Sequence, residues 1–259
     1  MNIENVTISS NEEIAMNIWR MSMSAPKIAA AYIGPGQFIN ILPNDNWEHP
    51  IRRPMSIASV RGDRVEIIYK IFGNMTEKLS LKNVGNTMNI LGPLGNVFTD
   101  WDKKEVEPIL IGGGVGLAPI LNVYESCRNP IMIIGARTAS EHFMEHDPKN
   151  NIYLTTDDGS MGIAGNVLKA MDEVNINKNS IIYACGPEPM LHALQSYAND
   201  KNIRAQLSVE SYMGCGVGLC QGCVINRKNG HVQKHSYHEK YSLVCLDGPV
   251  YESSEVTFG

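Results

Sequence analysis

Long apolar runs are missing from this chain. The longest apolar run without a charge, Pro108 to Tyr124, is broken by glycines and falls short of the roughly 20 residues a membrane-crossing helix needs. The first residues carry Glu4, Glu12 and Glu13 and lack the basic-then-apolar order of a signal peptide. Together these absences predict a soluble, cytoplasmic protein with no membrane segment. Positive charge is also scarce: 22 Lys and Arg stand against 27 Asp and Glu, a net charge of -5, whereas nucleic-acid binding needs a basic patch or stripe. No internal repeat and no low-complexity segment occurs. Six cysteines in 259 residues do not make the disulfide framework of a short secreted domain. No acid–base dyad or nucleophile stands out, so no catalytic residue is assigned.

What is present divides the chain into three regions. Residues 1–100 hold short strands such as Gln37–Leu42, Pro54–Ser59 and Val65–Ile71. Turn residues at Gly34-Pro35-Gly36, Arg61-Gly62-Asp63 and Gly92-Pro93-Leu94-Gly95 separate them. Closely spaced strands with turn signals predict an antiparallel barrel or sandwich. Residues 101–206 alternate apolar strands (108–111, 131–134, 152–155, 181–184) with helical windows (118–126, 165–174, 188–198). Such alternation means βαβ units and a doubly wound parallel sheet. Residues 207–259 are rich in cysteine and glycine and too few to build much core, so a metal centre would be a natural staple.

The tail carries the clearest chemistry. Its spacing is Cys215-x4-Cys220-x2-Cys223, followed 22 residues later by Cys245, which is the plant-type [2Fe–2S] pattern. Three ligands from one loop must wrap closely around a cluster, and Gly214, Gly216, Gly218 and Gly222 permit the sharp turns and close backbone approach. Backbone N–H groups aimed at the sulfurs would tune such a cluster. Structural zinc on the four cysteines, or four unrelated core cysteines, are the competing readings. Zinc ligands usually come as two close pairs, and here Cys245 stands alone. Cys127, late in a helical window, reads as a small core residue.

Two further motifs lie at strand-to-helix junctions. Gly112, Gly113, Gly114 and Gly116 follow the first parallel strand and precede a helix, where a pyrophosphate can meet backbone amides and the helix N-terminus. Leu117 departs from the full Gly-x-Gly-x-x-Gly pattern, and a bare structural turn is the alternative. Cys185-Gly186-Pro187 ends the last parallel strand; Cys185 would either face a nicotinamide or pack beneath the loop. Asp157-Asp158-Gly159 reads as a turn with a helix cap. In the strand-rich region, Arg52-Arg53-Pro54-Met55-Ser56 could hold a phosphate through a forked guanidinium or be an exposed rim. Tyr69 on the next strand could lie against a flavin or ribose ring. Met75 and Thr76 open a helix that could cap a diphosphate.

In this order the motifs resemble the ferredoxin–NADP reductase superfamily over residues 1–206. Met213-Gly-Cys-Gly-Val-Gly-Leu-Cys-Gln-Gly-Cys223 with Cys245-Leu-Asp-Gly-Pro-Val250 extends the resemblance to electron-transfer subunits of class 1B dihydroorotate dehydrogenases, over the full chain. The resemblance implies an FAD-binding barrel (1–100), a nicotinamide domain (101–206) and a [2Fe–2S] domain (207–259). It places FAD on Arg53, Pro54, Met55, Ser56, Ile68, Tyr69, Lys70, Met75 and Thr76, where the family usually has Gly-Thr at the last pair. It implies NAD as electron acceptor at Gly112, Gly113, Gly114, Gly116, Cys185 and Gly186, and an FMN-containing catalytic partner subunit, two of each chain. Arg137 after the second parallel strand could suit the 2′-phosphate of NADP, which leaves the choice between NAD and NADP open. His231, His235 and His238, between the third and fourth cluster cysteines, are read as a surface hairpin without metal. Related subunits of sulfide dehydrogenases or NADPH–ferredoxin transhydrogenases share this arrangement, and a zinc-holding binding module is the reading from a different class.

Overall fold

The computed structural model describes residues 1–42, 50–228 and 240–258, so the three histidines above lie outside the described residues. The strand-rich region forms β1 (Asn2–Ala15), β2 (Ile18–Ser24), β3 (Phe38–Leu42), β4 (Arg53–Arg61), β5 (Arg64–Lys70) and β6 (Thr87–Leu94). They close into an antiparallel barrel in the order β1-β2-β5-β4-β3-β6. Strand period 2 sorts their side chains. Ile39 and Ile41 of β3, with Val65, Ile67 and Tyr69 of β5, fill the barrel. Phe38 and Ile68 point outward and are buried against the rest of the protein. A short helix, α1 (Pro26–Ala31), is fastened by the Glu4 carboxylate, which accepts the Lys27 and Ile28 amides at 3.1 and 3.0 Å. A second, α2 (Asn74–Ser80), follows β5.

The middle region folds as β7 (Glu107–Gly113), α3 (Leu117–Ser126), β8 (Ile131–Ala136), β9 (Ile152–Thr156), β10 (Ile163–Ala164), α4 (Val167–Met171), β11 (Ser180–Cys185), α5 (Glu188–Lys201) and β12 (Arg204–Ser208). These strands are parallel, in the order β10-β9-β8-β7-β11-β12. The chain order reverses between β7 and β11, which is the switch point where open α/β sheets bind ligands at the carboxyl ends of their strands.

The tail forms β13 (Val224–Arg227), β14 (Tyr241–Leu243), β15 (Val250–Glu252) and β16 (Val256–Thr257). It does not stand apart. β15 pairs antiparallel with β12 as the seventh strand of the sheet, while β14, β13 and β16 make a small sheet of their own. Asn96, just beyond the barrel, clamps this segment: its Nδ2 donates to the Asp247 and Val250 carbonyls at 2.8 Å and its Oδ1 accepts the Val250 amide at 2.9 Å. Barrel and sheet are joined by Asn122 of α3, whose amide donates to the Ile57 carbonyl at 2.9 Å. No helix among the described residues is long and apolar enough to cross a membrane.

Candidate flavin, nicotinamide and iron–sulfur sites

A cavity of about 650 Å³ lies between barrel, sheet and tail, within the size range of ligand and cofactor sites. The outer ends of β4 and β5 supply Pro54, Met55, Ser56, Ile68, Tyr69 and Lys70, and α2 supplies Thr76. Opposite them stand Pro187, Val209, Glu210 and Met213. Of the nine residues expected around a flavin, seven border this space. Arg53 instead donates through Nη1 to the Ile51 and Arg52 carbonyls at 3.1 and 3.4 Å. Met75 is buried in packing and does not line the cavity. Tyr69 requires a correction: its ring turns into the barrel, where the hydroxyl donates to Asn11 Oδ1 at 2.9 Å, so it offers no ring to a flavin. Strand parity decides this, because Ile68 and Lys70 take the outward positions. Phe72 was not foreseen. It is 93% exposed at the mouth of this cavity, a ring with no cover of its own.

A second cavity, about 380 Å³, sits at the switch point and is lined by Gly113, Gly114, Gly135, Arg137, Asp157 and Met190, among others. It shares Lys70, Phe72, Pro187 and Glu210 with the first, so the two spaces meet. The glycines prove unequal. A Cβ on Gly116 would lie 2.3 Å from the Cys185 carbonyl oxygen, and one on Gly113 would lie 2.6 Å from Met190 Sδ. Both glycines let the β7 and β11 turns pack together. Gly112 is likewise pressed against Leu117, at 3.1 Å. Gly114, at φ +56 with open space around it, faces the cavity free of such packing, and Gly113 lines the same cavity through its backbone. Cys185 is 1% exposed and borders neither cavity; burial pushes its thiol well above the ordinary range. Its place is beneath the loop, the packing alternative, while Gly186 lines a neighbouring space of about 690 Å³ that shares Phe72, Val209, Glu210 and Ser211 with the first cavity. Asp158 accepts the Ser160 amide and hydroxyl at 3.0 and 2.6 Å, as a turn residue should, whereas Asp157 reaches the cavity. Arg137 borders it too, with Nε and Nη2 donating to Glu141 Oε1 at 3.0 and 2.6 Å. A larger space of about 960 Å³ opens at the opposite edge of the sheet, near Glu105, Ser180 and Arg204, away from the carboxyl ends where ligands bind.

The thiol loop is built around sulfur. Cys215 Sγ accepts the Val217, Leu219 and Cys220 amides at 3.4, 3.2 and 3.3 Å. Cys245 Sγ accepts the Gly218 amide at 3.2 Å, and Cys223 Sγ the Cys245 amide at 3.4 Å. Burial pushes the Cys215 thiol up, but these amides and the Cys220 thiol outweigh it and bring it down to about 7. The Cys245 thiol, donating to Cys223, lowers the latter and is itself pushed up. The thiols thus meet as two pairs, Cys215 with Cys220 and Cys223 with Cys245. Among the described residues no three His, Cys, Asp or Glu side chains converge as a single ion would require. A tetrahedral zinc draws four ligands to one centre; two thiols for each of two irons suit the observed pairs and their N–H donors. The residues present fit the cluster. Asp247 braces the fourth ligand, accepting from Ser242 Oγ at 2.9 Å and the Leu243 amide at 3.1 Å.

A barrel with a cofactor-sized cavity, a doubly wound sheet with an adjoining cavity at its switch point, and a four-thiol loop define a flavin- and nicotinamide-dependent oxidoreductase with an iron–sulfur domain. The comparisons agree and narrow the class. Residues 210–257 match the model of the iron–sulfur cluster binding domain of dihydroorotate dehydrogenase B. The chain is 34% identical to the dihydroorotate dehydrogenase B (NAD(+)) electron transfer subunit of Fusobacterium nucleatum, covering 99% of each. It is 34% identical to that of Bacillus velezensis, covering 97% of each. A solved structure of an NADH-dependent reduced ferredoxin-NADP oxidoreductase, described for flavin-based electron bifurcation, superposes with a TM-score of 0.81 at 26% identity. It covers 97% of this chain and 89% of that one. The chain belongs to the family of dihydroorotate dehydrogenase B (NAD+) electron transfer subunits.

Proposed function

We propose that this chain passes electrons from the FMN of a catalytic partner subunit to NAD+, through a [2Fe–2S] cluster and FAD, while the partner oxidises dihydroorotate in pyrimidine biosynthesis. Residues 1–100 hold FAD, 101–206 NAD, and 207–259 the cluster on Cys215, Cys220, Cys223 and Cys245. The protein works in the cytoplasm, in an assembly of two copies of each subunit. Bound between the other two sites, a flavin converts between the paired electrons of a nicotinamide and the single electrons of a cluster.

One observation carries this reading. The barrel cavity shares Lys70, Phe72, Pro187 and Glu210 with the switch-point cavity, and its far wall includes Met213, two residues before Cys215. Three sites therefore abut without an intervening domain. The chain's residues bind and orient: Pro54, Met55 and Ser56 with the β5 edge form one wall, Phe72 offers a ring at the junction, and Gly114 leaves room for a phosphate. Arg137 is already paired with Glu141 through Nε and Nη2, which weakens its offer to a 2′-phosphate and supports NAD over NADP. A ferredoxin-coupled oxidoreductase subunit is the second reading, supported by the structural likeness at a TM-score of 0.81; the higher identity over nearly the whole length of the dihydroorotate relatives outweighs it.

Purification from the source cell tests the proposal. The chain should arrive with an FMN-containing partner, show flavin and iron–sulfur absorption bands, and reduce NAD+ with dihydroorotate. A colourless, zinc-loaded chain would overturn it, as would a complex inert toward dihydroorotate but active with ferredoxin.

A further inference from the structure

Asn40 lies on β3, where Ile39 and Ile41 face the barrel interior and Phe38 faces out toward the tail. Alternation therefore turns Asn40 outward with Phe38. An outward polar residue on a strand would ordinarily meet water, but Asn40 is completely buried. Its backbone is used: it pairs with Pro54 on β4 and Leu91 on β6, and its carbonyl accepts from Arg52. Its carboxamide is not. Neither Nδ2 nor Oδ1 has a hydrogen-bond partner among the described residues. A buried amide left this way costs free energy, and such an orphan calls for an explanation such as an absent ligand.

The direction of the side chain supplies that explanation. Nδ2 sits against the thiol loop: a Cβ on Gly216 would lie 2.0 Å from it and 3.5 Å from Leu94 Cδ1. Gly216 follows Cys215 directly, and its φ of +71 and lack of a Cβ leave room for the amide. Phe38, the neighbouring outward residue, shares a packed cluster with Cys223 and Cys245. Cysteine sulfurs in this loop already collect backbone N–H donors, and a neutral amide N–H is the side-chain equivalent.

We propose that Asn40, a residue of the barrel, donates a side-chain N–H bond to a sulfur of the cluster held by this loop and thereby raises its reduction potential. The physical reason is that reduction adds negative charge to the cluster sulfurs, and a donor aimed at them stabilises the reduced form more than the oxidised one. The inference rests on the cluster assignment above. Because Asn40 also pairs with Pro54 of the flavin cavity wall, the same residue spans the boundary between the two redox sites.

The test uses the full chain in its complex, as wild type, Asn40→Leu and Asn40→Asp, with iron and sulfide analysis and an EPR-monitored potentiometric titration. Both variants should keep the cluster. At fixed potential the ratio of reduced to oxidised cluster should fall about tenfold, a midpoint lowered by about 59 mV for one electron. Asn40→Asp, which replaces the donor by an anion, should shift at least as far. Full cluster content with an unmoved midpoint overturns the proposal; a wild type without iron and sulfide overturns the cluster assignment instead. If both variants fail to fold, pulsed EPR on wild-type protein carrying 15N in its asparagine side chains decides. A 15N coupling to the reduced cluster is expected, and its absence refutes the bond.

Discussion

The Gly218 amide donates to the Cys245 sulfur at 3.2 Å, 27 residues apart in sequence, and so ties the loop bearing three thiols to the fourth. Gly218 holds φ +79, and a Cβ there would lie 2.3 Å from Leu246 Cδ1. Leu246 can move; the left-handed backbone cannot be relieved as easily and costs about 1 kcal/mol for any residue with a Cβ. Gly218→Ala should therefore yield a folded protein with reduced iron and sulfide content and faster bleaching of the visible bands in air. Wild-type iron content and bleaching rate in this variant would show that the amide does not hold the fourth ligand's place.

Cys220 is the exposed member of the four thiols, so its loss disturbs packing least. Cys220→Ala should abolish the iron–sulfur bands and NAD-dependent dihydroorotate oxidation by the complex. NADH oxidation by a dye that takes electrons directly from the flavin should partly survive. Undiminished coupling of dihydroorotate to NAD+ would take the cluster off the route.

The thiol loop was legible in sequence because three of its ligands lie within nine residues and answer to local geometry. The change from closely spaced strands to strand–helix alternation likewise marked barrel and sheet. What could not be read depends on contacts between distant segments. Asn40 looks like an exposed strand residue until the loop around Gly216 covers it, and Asn96 looks like any turn asparagine until residues 247–250 meet it. Tyr69 failed for a narrower reason: a strand with apolar residues on both faces does not reveal its parity, and the ring went inward. In the glycine loop, pattern alone cannot separate glycines that pack two turns together from those that face a ligand.

That separation gives a paired prediction. Gly116→Ala would force a methyl into the backbone at Cys185 and Gly186, within 2.5 Å of three atoms, and overpacking of this kind costs about 1–3 kcal/mol or more. Gly114→Ala meets open space and pays mainly for its positive φ, about 1 kcal/mol. Denaturant unfolding should thus rank Gly116→Ala as the less stable variant. Steady-state kinetics should show Gly114→Ala with the raised KM for NADH and unchanged flavin content. The opposite ranking, or equal KM values, would return both glycines to a single role.

Glu141 offers a test that combines pH with nucleotide choice. The residue is 7% exposed, and one carboxylate oxygen accepts from Lys70 at 2.9 Å and from Arg137 at 2.6 Å. Burial pushes its pKa up, but Arg137 and Lys70 outweigh that and hold it at about 2, against an ordinary 4.5. A folded-state pKa below the unfolded one stabilises the protein above the unfolded value, and this contribution fades as pH falls through the folded value. It should therefore be complete above about pH 4.5 and vanish near pH 2. Its size is at most about 3 kcal/mol, less the salt screening of the largely exposed Arg137. The stability gap between wild type and Glu141→Gln should be constant from pH 7 to about 5 and narrow below that. The same substitution weakens the hold on Arg137 at the edge of the nicotinamide cavity, giving a 2′-phosphate a guanidinium to fork onto. The ratio of kcat/KM for NADPH to that for NADH should rise about tenfold, a change of about 1.4 kcal/mol in relative transition-state stabilisation. An unchanged ratio alongside the expected pH signature would mean that Glu141 supports the fold but does not restrain Arg137 from the nucleotide.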